Sequence, residues 1–264
     1  MFVKPKIVYK YKSLAACNSF CYLIDTVKNK RIYLPKPSEV NDPLEACAVQ
    51  LHLSYAGSSY GSPGGRISGL IEEKRNEFKV LSFSSIPNSS VMWADYADDS
   101  AGCCLMFRTK HSLDNIKPVI YTDSIFEYDE ADFEDHDITE YVEDAFLFKM
   151  KDWSYENEWR YIEKTDSQFL GLEEGELCGI ILGRKIDACK ANILLDACKE
   201  TGIPCYRSYV LQSRNQLVVI PNIEGKEEYF TSRDMHGYIE NEALSDIERE
   251  NAYLMHDYLM NPET

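Results

Sequence analysis

Glu156 and Glu158 stand two residues apart in the run Trp153-Ser154-Tyr155-Glu156-Asn157-Glu158-Trp159-Arg160, where turn chemistry gives way to a strand pattern. An extended backbone through this run puts both carboxylates on one face and Asn157, Trp159 and Tyr161 on the other. Carboxylates flanked by aromatics and an arginine point to a binding cleft, where such groups have perturbed acidity. The plainer alternative is structural: Glu158 and Arg160, two apart on a strand, form a same-face pair or neutralise partners from neighbouring elements. The tryptophans and tyrosines likewise serve a core more often than a stacking platform, because they bury so much apolar surface.

The elements that must position these residues follow from periodicity. Ile7 to Tyr11 alternates as a strand, and a helix is expected over 14–28. Arg31-Ile32-Tyr33-Leu34 is a second short strand, stopped by Pro35 and Pro37. Asn41-Asp42-Pro43 sets a turn, since the residue before proline is driven out of the helical region. Residues 56–66 are rich in Gly and Ser, and no phosphate-binding glycine motif can be written through them, so they are expected to form a linker before a helix over 67–77.

Lys79 to Ser84 reads as a buried strand ending in hydroxyls. Met92, Trp93, Tyr96 and Ala97 have helical spacing. Further strands are expected at 103–107, 117–122 and 177–182. A helix over 187–201 has Ala188, Ala191, Leu194, Leu195 and Cys198 on its inner stripe, and strand material interrupted near Arg214 follows over 205–220. Few strands with inserted helices, and no regular βα alternation, predict an α+β class.

The 264 residues carry a formal net charge of -16. That charge is concentrated: residues 127–144 hold ten acids and no Lys or Arg, and 224–264 hold eleven acids against three bases. Outside those two segments 25 basic residues nearly balance 23 acidic ones. A coat protein for nucleic acid needs a basic footprint that this chain lacks, although a short strand or a small phosphate ligand is not excluded. Residues 127–144 are expected to be a solvated helix or loop, helical towards the end, where Ile138, Tyr141, Val142 and Ala145 form a stripe. The spacing of a calcium-binding EF-hand loop is absent there.

Nine cysteines occur without paired Cys-x-x-Cys units, so reduced thiols and no metal site are expected. No apolar run approaches the roughly 20 residues of a bilayer span. The opening Met-Phe-Val-Lys-Pro-Lys lacks a signal-like apolar block. A soluble cytoplasmic protein with no membrane partner is therefore expected, with one domain over 1–222 and an acidic, partly helical tail over 223–264.

Four segments in order resemble the bacterial family catalogued as domain of unknown function 2971. They are Tyr9-Lys10-Tyr11; Ile32-Tyr33-Leu34 through Asn41-Asp42-Pro43-Leu44-Glu45; Leu81-Ser82-Phe83-Ser84 with Met92-Trp93-Ala94-Asp95-Tyr96-Ala97; and the run from Trp153 to Arg160. The same layout is similar, more distantly, to ADP-ribosyltransferases, especially those that modify DNA bases.

That second resemblance implies a single domain on a split or strongly bent mixed β-sheet with inserted helices, holding NAD as substrate. It implies Glu158 as the catalytic carboxylate, stabilising an oxocarbenium-like state as nicotinamide leaves. Tyr9, Lys10 and Tyr11 would lie near the NAD ribose, Ser82 and Ser84 would line the cleft, and Tyr96 would stack on nicotinamide. Asn41, Asp42, Trp93, Glu156 and Arg160 complete the expected cleft. The Tyr-Lys-Tyr strand carries neither the histidine nor the arginine usual at its place. Two functions follow as expectations: ADP-ribosyl transfer to a nucleic acid or protein acceptor, or a non-catalytic binding module in phage defence or stress response. A hydrolytic nuclease is disfavoured, because clustered metal-binding carboxylates and histidines are missing.

Overall fold

The computed structural model describes residues 2–39, 49–52, 63–124, 126–129, 138–211, 214, 216–222, 236, 239–240 and 246–260. In chain order the first elements are β1 (Ile7–Lys12), α1 (Cys17–Asn29), β2 (Arg31–Tyr33), β3 (Val49–His52), α2 (Pro63–Asn76), β4 (Phe78–Ser84) and α3 (Ser90–Asp95). Next come β5 (Cys103–Arg108), β6 (Lys117–Pro118), β7 (Ile120–Thr122), β8 (Phe126–Asp129), α4 (Ile138–Ala145) and β9 (Phe148–Met150). The last are β10 (Glu158–Lys164), β11 (Phe169–Gly171), β12 (Leu177–Leu182), α5 (Ala188–Thr201), β13 (Cys205–Leu211), β14 (Gln216–Pro221) and α6 (Asp246–Met260). The α+β class expected from the sequence is what these elements build.

The chain divides into two compact units, each assembled from separate stretches. The first takes Met1–Lys6, Arg31–Ser85 and Thr109–Glu173; the second takes Ile7–Lys30, Ile86–Arg108 and Glu174–Thr264.

In the second unit, strands β14, β13, β12, β5 and β1 lie side by side in that order as a mixed sheet. Only β12 and β13 run parallel, because α5 crosses over between them. Asp187 starts α5 by accepting the N–H groups of Cys189 and Lys190, and Gly202, at φ 71°, ends it. Its inner stripe is Ala191, Leu194, Ala197 and Cys198, while Ala188 is exposed. Ser89 caps α3 by accepting the Met92 N–H. Late in the chain, α6 buries Met255 against Leu211, Val218 and Ile220, so part of the acidic C-terminal segment belongs to a packed core.

In the first unit, β4 pairs with β10 antiparallel from Glu158 opposite Ser84 to Lys164 opposite Phe78, and β6 flanks β10. Three small pairs complete it: β2 with β11 antiparallel, and β3 with β8 and β7 with β9 parallel. Its core gathers Phe78 and Val80 from β4 with Tyr141, Val142, Ala145 and Phe146 from the end of α4. Three of the four residues read as the α4 stripe, Tyr141, Val142 and Ala145, are therefore buried.

Two further local expectations change. The helix expected from 67 begins at Pro63, since proline is preorganised for a first helical turn, where its missing N–H costs nothing. The stretch expected to be wholly helix or loop from 127 includes strand residues through Asp129, because the backbone of β8 finds a parallel partner in β3.

Candidate functional site

The site in the first unit is made by a chain reversal. After β9 the backbone winds through a 3-10 turn, Lys151–Glu156, and Asn157 then takes a left-handed conformation at φ 47° and ψ 52°. Asparagine is one of the few side chains that adopts this conformation readily. β4 anchors the reversal: the Ser84 hydroxyl donates to the Glu156 carbonyl at 2.6 Å, and the Ser85 N–H donates to the Asn157 carbonyl at 3.0 Å. The extended backbone expected through Glu156 is therefore not formed. Helical turn, left-handed residue and strand follow one another instead, and this sequence of conformations still delivers Glu156 and Glu158 to one cation.

That cation is Lys149, in the middle of β9. Its Nζ lies 2.5 Å from Glu156 Oε2 and 3.2 Å from Glu158 Oε2, and 4.7 Å from the centre of the Trp153 ring. Arg160 grips Glu158 with two prongs, Nε to Oε1 at 2.7 Å and Nη2 to Oε2 at 3.0 Å. Its third nitrogen, Nη1, donates to the Phe146 carbonyl at 2.5 Å. The expected Glu158–Arg160 pair therefore exists, but buried: Glu158 is 5% exposed and Arg160 1%. Lys149 and Glu156 are buried too. The quartet sums to zero formal charge.

Burial pushes the Glu158 carboxyl up, yet the charge and hydrogen bonds of Arg160, the charge of Lys149 and the Ser82 hydroxyl outweigh it and bring the pKa to about 2. Glu158 is consequently an anion at every physiological pH. It has no proton to donate, so its chemistry is that of a fixed negative charge.

Ser82 and Ser84 stand opposite Arg160 and Glu158 in the β4–β10 register, so five expected site residues gather in this unit: Ser82, Ser84, Glu156, Glu158 and Arg160. Asn41 and Asp42 lie outside the described residues. The other five, Tyr9, Lys10, Tyr11, Trp93 and Tyr96, belong to the second unit.

There Tyr9 is buried opposite Met106, and Tyr11 sends its hydroxyl to the Ile86 carbonyl at 2.8 Å. Trp93 is fully buried, meets Tyr11 edge-on at 5.3 Å, and donates its indole N–H to the Pro87 carbonyl at 2.8 Å. Lys10 and Tyr96 are half-buried, and the Tyr96 N–H closes α3 on the Met92 carbonyl.

Sequence reasoning missed two members of the site, Lys149 and Tyr121. Each is the central residue of a three-residue strand, Phe148-Lys149-Met150 and Ile120-Tyr121-Thr122, and the two face each other in the β7–β9 register. A lysine between two large apolar residues was the available signal, since an unpaired lysine is rarely buried. Among the described residues no group of three or more His, Cys, Asp or Glu is placed to hold a metal, and the described cysteines are free thiols. Among the described residues no helix is long and apolar enough to cross a membrane.

Comparison with known families agrees with the first resemblance. A family model described as protein of unknown function (DUF2971) matches residues 92–161. That stretch contains Met92-Trp93-Ala94-Asp95-Tyr96-Ala97 and the run from Trp153 to Arg160, so the family kinship read from the sequence is supported there. No curated protein and no solved structure matches the chain.

Proposed function

We propose that the protein is an ADP-ribosyltransferase-like enzyme, using NAD and a nucleic acid or protein acceptor in the cytoplasm, with Glu158 as its central carboxylate. In that reaction the bond between nicotinamide nitrogen and ribose carbon breaks with its electron pair leaving on nicotinamide. The acceptor nucleophile then bonds to the ribose carbon and loses its proton. Positive charge develops on the ribose between these events, and a carboxylate that is always ionised favours it.

One observation carries the reading: Glu158 opens β10 as an anion pinned by Arg160 and Lys149, opposite the hydroxyl-bearing end of β4. Titration of purified protein with NAD, followed by calorimetry and thermal unfolding, tests it. Saturable NAD binding, with turnover lost in Glu158→Gln while the fold is retained, supports the enzyme; absence of NAD binding ends that reading.

A second reading is favoured by the closure of the quartet. Two acids and two bases, all buried, satisfy one another, as a structural core would. On this reading the protein is a non-catalytic binding module, with the acidic segments as its contact surface for a basic partner. It expects no NAD binding, together with capture of a basic protein that is lost when the acids of 127–137 are changed to their amides, which leaves the core residues Tyr141 and Val142 in place.

A further inference from the structure

The ladder between β6 and β10 ends in an unusual way. Pro118 stands opposite Trp159, and Val119 then donates its N–H to the Glu158 carbonyl at 3.0 Å. The neighbouring Glu158 N–H would ordinarily reach another main-chain carbonyl. It donates instead to the phenol oxygen of Tyr121, at 2.9 Å.

A phenol has one donor and two acceptor positions. Here an acceptor position is filled by the main chain of Glu158, and the O–H has no acceptor among the described residues. The side chain is half-buried, so the residue keeps partial access to solvent while its phenol oxygen is held by the main chain. Burial raises its pKa, and the charges of Glu158 and Glu156 add to this, so the phenol stays protonated as a donor and cannot serve as a base. A donor fixed by a backbone N–H beside an ionised carboxylate is preorganised for a ligand oxygen. The quartet beside it is neutral overall, its two carboxylates being neutralised by Lys149 and Arg160, so it offers no net positive charge to draw an anion and suits a neutral oxygen.

We propose that Tyr121 is a substrate-binding residue whose O–H, set in place by the Glu158 N–H, donates to a neutral oxygen of the NAD substrate. That oxygen is a ribose hydroxyl or the carboxamide carbonyl. The inference rests on the NAD reading above and deepens it by adding a residue that orients the substrate.

The test is calorimetric titration of NAD, ADP-ribose and nicotinamide into wild type, Tyr121→Phe and Asp187→Ala. The last removes only the α5 N-cap and supplies the comparison for general loss of stability. Loss of one hydrogen bond predicts about three- to tenfold weaker NAD binding by Tyr121→Phe and little change in Asp187→Ala. The same weakening for ADP-ribose assigns the ribose; the same for nicotinamide assigns the carboxamide.

NAD binding unchanged in Tyr121→Phe overturns the inference and leaves the enzyme reading standing, as does equal weakening in both variants. A wild type that binds none of the three ligands overturns both. Should Tyr121→Phe fail to fold, hydrogen exchange at the Glu158 N–H in wild type decides. Slower exchange with NAD supports the contact, and unchanged exchange overturns it.

Discussion

Glu158→Gln removes one charge from the quartet and leaves its shape almost untouched, so its cost can be worked from the site. Wild-type Glu158 is drawn from an ordinary 4.5 to about 2, which at about 1.4 kcal/mol per pH unit amounts to about 3 kcal/mol of folding stability at pH 7. Breaking a buried ion pair on one side costs about 3–5 kcal/mol by general experience, in agreement.

The sign of the pH dependence is fixed by the depressed acidity. The contribution is complete above pH 4.5, and it declines as pH falls towards the folded-state value of about 2. A protonated glutamic acid is nearly the shape and charge of glutamine, so acid makes the wild type resemble the variant. The gap between them should narrow from about 3 kcal/mol at pH 7 to about 1.5 kcal/mol at pH 3. Urea unfolding of both proteins at pH 7, 5, 4 and 3 measures it. A gap that stays constant with pH would mean that Glu158 is not a buried anion held by Arg160 and Lys149, and the site as drawn would be wrong.

Substitutions at three further positions probe how the backbone builds each unit. Asn157→Ala should cost about 1–2 kcal/mol in urea midpoint experiments, because a Cβ without a polar group disfavours the left-handed conformation, while Asn157→Gly should stay within about 0.5 kcal/mol of wild type. Gly102→Ala places a Cβ at 2.1 Å from the Lys12 carbonyl oxygen and 2.9 Å from that of Ala97, both rigid backbone, and should lower stability by about 3 kcal/mol or more. Gly171→Ala meets nothing within 4 Å and should be neutral or raise stability by up to about 1 kcal/mol; calorimetric melting of the pair shows whether the contrast holds.

Local pattern carried most of the elements into view. The buried run of β12, the hydroxyl-ended β4 and the α4 stripe all follow from periodicity that a single stretch of chain displays. The quartet was legible only in half. Glu158 and Arg160 are neighbours on one strand, so their pairing follows from a period of two, but their burial depends on α4 and β9, which no local rule connects to them. Glu156 was placed on the right side for the wrong reason: an extended run and a 3-10 turn closed by a left-handed asparagine both return it near Glu158, and sequence does not separate them. The anchor that decides between them, the Ser84 hydroxyl on the Glu156 carbonyl, joins residues 72 apart. Tyr121 escaped notice because its role is to stand in for a missing main-chain carbonyl, which becomes visible only once the β6–β10 register is known.

The alternation of the chain between its two units bears on how the protein is made. Residue by residue, the nascent polypeptide lays down part of one unit, then part of the other, and changes over five times before it ends. During vectorial synthesis β4 therefore emerges well before β10, the strand that covers its edge, and the whole quartet is translated long after Ser84, which anchors its turn. Such late closure of long-range pairs slows folding and prolongs the life of exposed strand edges. It also means that residues 92–161 begin in one unit and finish in the other, so that stretch cut out alone would hold only pieces of two cores. A split-protein assay gives this practical force: chains divided near residue 108 or 173 should regain structure only when both fragments are present together.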